Sequence, residues 1–595
     1  MPSRPPWAPS NLSGPLEAPR TSPILGAFVP VAMENAVSVI GSYLQRTRIA
    51  YFSMEIALRS EMHTYSGGLG VLAGDTVRSA ADLELPMVFV TLASRQGYLW
   101  QEIDAKGRQV GRADPWEPED WATPLPDVMA ATIEGRNVWV RPWLYEWTSA
   151  RGNKVPVIFL DTHIEQNDLH DRGITHRLYG GDDAYRLKQE IVLGIGGVHV
   201  LNTLGFSIET YHLNEGHAAL LPLALLRRTG HGRNGEYNIE AVRRRCVFTT
   251  HTPVEAGHDR FGYELVADIL GPFIEFDRLK ALAGDNCLNM TRLALNLSSY
   301  ANAVSLRHAE TTRGMFPGYR IHAVTNGVHP RQWTHPAFAR LFGELAPDWD
   351  VQPEALAGAV HLADDAVWNA HAEAKRDLIT LVQTRTGRRL DPDRPIIGYA
   401  RRMTGYKRAG LLFGDLPRLK EIHRRFPFQI VLAGKAHPRD ESGKNLIHDI
   451  AGHAHRAGLP IVFVPGYDMD IARLMVAGSD LWLNTPQPPL EASGTSGMKA
   501  ALNGVLNVST LDGWWLEGCE DGVTGWGIGQ DATPGDDARI LYDRLENTIM
   551  PLYFGNRGRW TGMMKEAIAK IGPVFNTQRM MQAYAREAYL LPARG

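Results

Sequence analysis

Three short segments carry residue types that can hold an anion. Residues 401–408 read RRMTGYKR and place four cations, Arg401, Arg402, Lys407 and Arg408, within eight positions, directly after a run typical of a buried strand. Arg and Lys at that density suit a dianion such as a phosphate; a solvated basic turn is the plain alternative, and position alone leaves the two even. Residues 491–500 read EASGTSGMKA, in which Ser493, Gly494, Thr495, Ser496 and Gly497 form a small-residue loop with hydroxyls and free N–H groups, and Met498 begins a helix. Lys499 then falls one turn inside, in apolar surroundings that lower an amine's pKa and favour Schiff-base formation with a carbonyl. A surface lysine behind a small-residue cap fits the same letters. Residues 65–75 read YSGGLGVLAGD and set three glycines before a helical pattern, so backbone N–H groups at Gly68 and Leu69 can point at an anion. Glycine turns ahead of helices also serve structure alone, and the absence of a following Lys-Ser/Thr excludes a Walker loop.

These loops need elements that bring them together. From Arg48 onward, apolar β-rich runs alternate with helical patterns: PMVFVTL at 86–92, VPVIFL at 155–160, SIETYHL at 207–213 and CVFTTHT at 246–252. Between the second and third, Leu187, Ile191, Ile195, Val198 and Leu201 recur at spacings of three and four, the apolar face of a helix. A second set follows, PIIGYAR at 395–401, FQIVLAG at 428–434, PIVFVPG at 460–466 and SDLWLNTP at 479–486. Such alternation predicts parallel sheets covered by helices, hence an α/β protein of two doubly wound, Rossmann-like domains facing across a cleft. The boundary is placed near residue 335: a proline-rich tail over 1–40, one α/β domain over 41–335, a second over 336–570, and a C-terminal helix over 571–595 packing back on the first. LFGELAPDWDVQPEAL, at 341–356, reads as a linker. Ligands of such folds bind where the loops after the strands meet.

Bulk properties bound the rest. A chain of 595 residues exceeds what one core supports, and no run approaches the roughly 20 apolar residues that span a bilayer. The net charge of −3 argues against a nucleic-acid partner held by a broad basic surface. Cys246, Cys287 and Cys519 are too scattered for a disulfide framework or a cysteine metal site, which favours a reducing, cytoplasmic setting. No metal centre is read. The first 30 residues hold eight prolines and no signal-peptide core.

Taken together, the segments resemble the α-glucan phosphorylases, the glycogen, starch and maltodextrin phosphorylase family. EASGTSGMKAALNG is similar to that family's cofactor-lysine motif, and the likeness runs in order from about residue 48 to 530 through GGLGVLAGD, RLKQE, HLNEGHAAL, TTHTP, VTNGVHPRQW and RRMTGYKR. The resemblance implies the two-domain GT-B glycosyltransferase architecture and retaining, reversible phosphorolysis of α-1,4-glucan by orthophosphate to glucose 1-phosphate. It also implies pyridoxal 5′-phosphate on Lys499, with the cofactor's phosphate, rather than its ring, exchanging protons beside the substrate phosphate. By the same likeness, Arg402 and Lys407 bind orthophosphate, while Arg401, Thr495, Ser496 and Gly497 hold the cofactor phosphate. Gly68, Leu69, His251, Asn326, Tyr406, Glu491, Ser493, Gly494 and His217 belong to the glucosyl site, with His217 read as ordering its loop by hydrogen bonding rather than acting as a base. Family tyrosine and arginine positions are Ala57 and Asp468 here. The Trp514-Trp515 pair in WWLEG resembles the compact prokaryotic branch, and core packing is the simpler role for it. A homodimer is compatible with the family, and no regulatory segment is recognised. The rivals are a nucleotide-sugar glucosyltransferase of the same fold without pyridoxal, and a carbohydrate-binding relative that has lost catalysis.

Overall fold

The apolar runs of the two halves become two separate parallel sheets. The computed structural model describes residues 39–229, 237–529 and 535–589; all but the last two residues of the tail expected over 1–40 lie outside this range, as do residues 590–595. The first sheet contains β1 (Ile49–Ser53), β2 (Met87–Leu92), β3 (Thr123–Pro124), β4 (Met129–Ile133), β5 (Arg136–Thr148), β6 (Lys154–Asp161), β7 (Thr210–Asn214), β8 (Cys246–Thr249), β9 (Tyr300–Ala303) and β10 (His322–Ala323). Their order is β10-β9-β8-β7-β1-β2-β6-β5-β3, with β4 on β5, and every pairing from β10 to β6 is parallel. The second sheet contains β11 (Ile396–Ala400), β12 (Gln429–Ala433), β13 (Ile461–Val464), β14 (Leu481–Asn484), β15 (Leu506–Thr510) and β16 (Gly525–Ile528), all parallel, in the order β13-β12-β11-β14-β15-β16. In both sheets the parallel strands run third-second-first-fourth and onward, the doubly wound order whose switch point lies between the first and fourth strands. That places it between β1 and β7 and between β11 and β14.

The central strands are apolar because both faces are covered: every residue of β1, β2, β11, β12 and β14 is buried. The helix read from Leu187 to Leu201 is broken into α2 (Asp183–Ile191), a π turn (Val192–Gly196) and α3 (Gly197–Thr203). Gly197 lets this segment lie against β1, since a Cβ there would sit 2.6 Å from the Phe52 ring. Strand β7 begins at Thr210, three residues later than its apolar run.

Two expectations change. Segment 341–356 is no free linker: Phe342, Trp349 and Leu356 are buried in the core that also holds β11 to β15. Strand β5, antiparallel to β6, is an addition to the parallel scheme.

Three helices bear on the cavity: α1 (Gly68–Asp82), α4 (Met469–Gly478) and α5 (Ser496–Ala501). A ribbon, Trp100–Ile103 paired with Gln109–Arg112, leaves the first sheet and is pinned to loops of the second. Gln101 Nε2 donates to Gly434 O at 2.8 Å, and Gly466 N donates to Gln101 Oε1 at 3.0 Å. Gln109 exchanges hydrogen bonds with both backbone groups of Ala436. Helix α6 (Thr577–Tyr584) lies against α1, with Ser79 Oγ donating to Thr577 Oγ1 at 2.6 Å, and Tyr589 OH meets His212 Nδ1 at 2.6 Å. No described helix is long and apolar enough to cross a membrane.

Candidate active site

A cavity of about 620 Å³ opens where the loops after both sheets' strands meet, lined by residues from 55 to 499. The loop after β11 turns through a short 3₁₀ segment, Gly405–Lys407, which carries Lys407 inward. There Lys407 Nζ donates to Glu491 Oε2 at 2.5 Å, and Arg401 Nη2 donates to the same oxygen at 2.8 Å. The Glu491 main chain is held in turn, its N–H donating to Asp512 Oδ2 at 2.8 Å. Burial opposes the charge of Glu491, yet Lys407 and Arg401 hold its carboxyl below the usual range. Burial, with Arg401 alongside, brings the Lys407 ammonium down to about 7 despite Glu491. Asp512, buried beside Glu491, is pushed up to about 6.

The triad adds protein partners to two of the expected ligands: one oxygen of Glu491 neutralises two cations, and Arg401 commits Nη2 to it while its Nε and Nη1 remain buried without a hydrogen-bond partner. Arg402 points elsewhere, toward the start of α1, with Nη2 3.4 Å from Ser66 Oγ.

The glycine loop before α1 is shaped by Glu55, which the sequence reading missed. Glu55 Oε2 accepts the N–H of Ser66 at 2.5 Å and of Gly67 at 3.2 Å, and Oε1 accepts Tyr179 OH at 2.8 Å. Gly70 must lack a side chain, since a Cβ there would lie 2.7 Å from Glu55 Oε2. The signal available in the sequence was an acidic residue two positions past a fully buried strand.

Lys499 lies on α5 with its ammonium 3.6 Å from the centroid of the Trp333 ring. Burial pulls it down to about 8, with Asp75 opposing and Arg78 assisting. Asp75 Oδ2 accepts Trp333 Nε1 at 2.7 Å and the His329 N–H at 3.1 Å, so one carboxylate positions the ring under the amine. Such an amine has about a tenth of its population neutral and nucleophilic at pH 7, far more than an ordinary lysine.

Glu215 Oε2 accepts the N–H of His251 at 2.6 Å and Thr252 Oγ1 at 2.9 Å. His251 Nε2 lies 2.7 Å from Asn214 Oδ1. Burial holds His251 and His217 neutral, each down to about 3, which suits hydrogen bonding and not proton storage. Asn326 Oδ1 and Ser493 Oγ are buried with no partner, and both residues line the cavity.

Gly68, Leu69, His217, His251, Asn326, Arg401, Arg402, Tyr406, Lys407, Glu491, Ser493, Gly494, Thr495, Ser496 and Lys499 are all brought to this one cavity. Gly497 is not: helix α5 already starts at Ser496, which turns Gly497 away from the cavity, where a Cβ would meet the Trp514 ring at 2.7 Å. The Ser496 hydroxyl is engaged, accepting Trp482 Nε1 at 3.0 Å. Asp468, at the family arginine position, lines the cavity and caps α4 by accepting the N–H of Ile471 at 2.8 Å. Trp514 and Trp515 are core residues. Outside the cavity, Glu134, His170 and Asp171 cluster at metal-ligand spacing, but Lys188 and Arg136 already pair with the carboxylates.

The sequence model of the carbohydrate phosphorylases matches residues 254–522. The chain is 38% identical to the maltodextrin phosphorylase of Thermococcus litoralis, over 91% of this chain and 70% of that one. It is 36% identical to the glycogen phosphorylase of Mycobacterium tuberculosis, over 92% and 71%, and 36% identical to that of Aquifex aeolicus, over 91% and 86%.

Proposed function

Because the chain belongs to the carbohydrate phosphorylase family, we propose that it is an α-glucan phosphorylase that passes the terminal α-1,4-linked glucosyl unit of a maltodextrin or glycogen chain to orthophosphate, reversibly and with retention. The observation that carries the reading is a buried amine of lowered pKa, Lys499, sharing one cavity with three cations that follow a single strand, Arg401, Arg402 and Lys407.

The residues present fit pyridoxal 5′-phosphate. Lys499 offers the amine, and the unpartnered Nε and Nη1 of Arg401 offer donors, with Thr495 and Ser496 in the same cavity. When bound there, the cofactor supplies a phosphate able to hold or release a proton near neutrality. Arg402, with the α1 start at Gly68 and Leu69, and Lys407 hold orthophosphate by charge. Asn326, Ser493 and the neutral His251 offer hydrogen bonds to sugar hydroxyls. As the C1–O bond breaks, a phosphate P–OH gives its proton to the departing glycosidic oxygen. A phosphate oxygen then bonds to C1 on the same face, leaving glucose 1-phosphate and a glucan one unit shorter. Glycoside hydrolysis would place its acid and its base or nucleophile on a pair of carboxyl groups across the bond; here Glu55, Glu215 and Glu491 each accept hydrogen bonds that shape the cavity. The reading divides the chain near residue 335, sugar side first and cofactor side second. It carries with it a cytoplasmic enzyme, with Cys246, Cys287 and Cys519 unpaired, and a homodimer as the assembly to look for by light scattering.

The test is incubation of cofactor-loaded protein with maltodextrin and orthophosphate, with glucose 1-phosphate assayed. Borohydride should fix pyridoxyl to Lys499, and Lys499→Ala should neither retain the label nor turn over. Absence of product from loaded wild type would overturn the reading.

A further inference from the structure

The WWLEG segment carries an acidic residue, Glu517, whose connections are unlike those of its tryptophans. Trp514 and Trp515 are buried in the core, while Glu517 reaches two loops of the first sheet. Its Oε1 accepts the N–H of Leu306 at 2.9 Å, and its Oε2 accepts the Thr325 hydroxyl at 2.7 Å. Leu306 follows Ser305, whose hydroxyl donates at 2.6 Å to the carbonyl of Ala492, between Glu491 and Ser493. Thr325 precedes Asn326, which is 4% exposed and whose amide oxygen lacks a partner.

The Asn326 backbone is gripped from the other side. Its N–H donates to Val304 O at 3.1 Å. Arg579 Nη2 donates to Thr325 O at 2.6 Å and Asn326 O at 3.2 Å. Gly327 lies against the Asn576 backbone, and Thr577 N donates to Val328 O at 3.1 Å. With its main chain fixed at both polar atoms, Asn326 has its side-chain oxygen left over, and the residue lines the cavity.

We propose that Glu517 is a positioning residue for the glucosyl site, tying together through one carboxylate the loop that reaches Ala492 and the loop that presents Asn326 to a sugar hydroxyl. The proposal rests on the phosphorylase reading for the identity of the sugar. A carboxylate is suited to the task because Leu306 and Thr325 each donate to a different oxygen. A leucine keeps much of the size but offers neither acceptor, leaving the Leu306 N–H and the Thr325 hydroxyl without this partner.

The test uses cofactor-loaded enzyme, in the synthetic direction, with glucose 1-phosphate and its monodeoxy analogues as donors. The analogue missing the hydroxyl that meets Asn326 is the one whose penalty in kcat/KM disappears in Asn326→Ala. In wild type that penalty should be about tenfold, the worth of one good hydrogen bond. Glu517→Leu should shrink it at least about threefold while the other analogues, the KM for orthophosphate and the thermal midpoint change little. Glu517→Gln, whose amide can accept from Leu306 N–H and donate to the Thr325 hydroxyl, and Thr325→Ser, which keeps the hydroxyl, should retain the wild-type pattern, and Thr325→Val should follow Glu517→Leu. Equal losses across all analogues would mean a merely structural role, and an unchanged pattern would mean none; either overturns the proposal. A wild type that makes no glucan from glucose 1-phosphate refutes the phosphorylase reading, and the assignment of Glu517 falls with it.

Discussion

The pH dependence of anion binding isolates Lys407. Its ammonium is buried beside Arg401 and held at about 7, so it changes charge where the enzyme would work. A group with that pKa is about 90% protonated at pH 6 and about 10% at pH 8. If the charged form is the one that grips the substrate anion, affinity is high below 7 and lost as pH rises through it, by about tenfold between those limits. Orthophosphate is a poor reporter because its own second ionisation falls in the same range. Sulfate stays a dianion throughout, so competition by sulfate, or its direct binding by calorimetry, reads the lysine alone. Lys407→Arg should flatten the profile, because a guanidinium stays charged across it. Glu491→Gln removes the carboxylate that props the lysine up at 2.5 Å, so the midpoint should move below 7. The shift of the midpoint is the quantity to read, since removing a negative charge also strengthens anion binding by itself. A wild-type sulfate affinity that is level from pH 6 to 8, or a Lys407→Arg profile that parallels wild type, would refute the reasoning.

Lys499 should load pyridoxal phosphate faster as pH rises through about 8, where burial places its titration; absorbance of the bound cofactor follows this, and Asp75→Asn, which removes the charge that raises the amine, should move the midpoint acid-ward. Tyr589→Phe strips a hydrogen bond from the buried His212 Nδ1 at 2.6 Å and should cost about 1–3 kcal/mol in denaturant unfolding, whereas no change in midpoint would show that the C-terminal segment contributes nothing. Gly327→Ala pushes a methyl into the Asn576 backbone and should lower stability by about 1–3 kcal/mol while reducing kcat/KM for glucan more than affinity for orthophosphate; a variant as active and stable as wild type would contradict the packing.

Four of the six strands of the second sheet, β11 to β14, were legible to within a residue or two, because strands buried on both faces read as unbroken apolar runs, whereas β15 and β16 were not read. Strand β5 was not, since RNVWVRPWLYEWT mixes charge, proline and apolar residues in the way of a partly exposed antiparallel strand. The short Trp100–Arg112 ribbon escaped for the same reason. At the site, the family likeness supplied Lys499 and the cations but not their partners. Nothing in one dimension says that Glu491 meets Arg401 and Lys407 across 90 and 84 positions. That Gly497 turns away from the cavity could not be read, because helix α5 is six residues long, too short for its inward face to show as a period.

The shared strand order explains why so many loops converge on one cavity. Each sheet diverges between its first and fourth parallel strands, and the loops after β1, β7, β11 and β14 deliver Glu55 with Gly68, His217, Arg401 to Lys407, and Glu491 to Lys499. Along that line the carboxylates and the cations have separate duties. Glu55 shapes the glycine loop, Glu215 holds the His251 segment, and Glu491 offsets two buried cations, so each is bound into the scaffold. Arg402 and Lys499 have no such carboxylate partner at hydrogen-bond range among the described residues, and with Lys407 and the unpartnered Nε and Nη1 of Arg401 they are the cations the cavity turns to ligands. With these three carboxylates bound into the scaffold, the cavity turns cations toward an anion, and orthophosphate, which brings a proton and a nucleophile in one molecule, is a reactant that suits it.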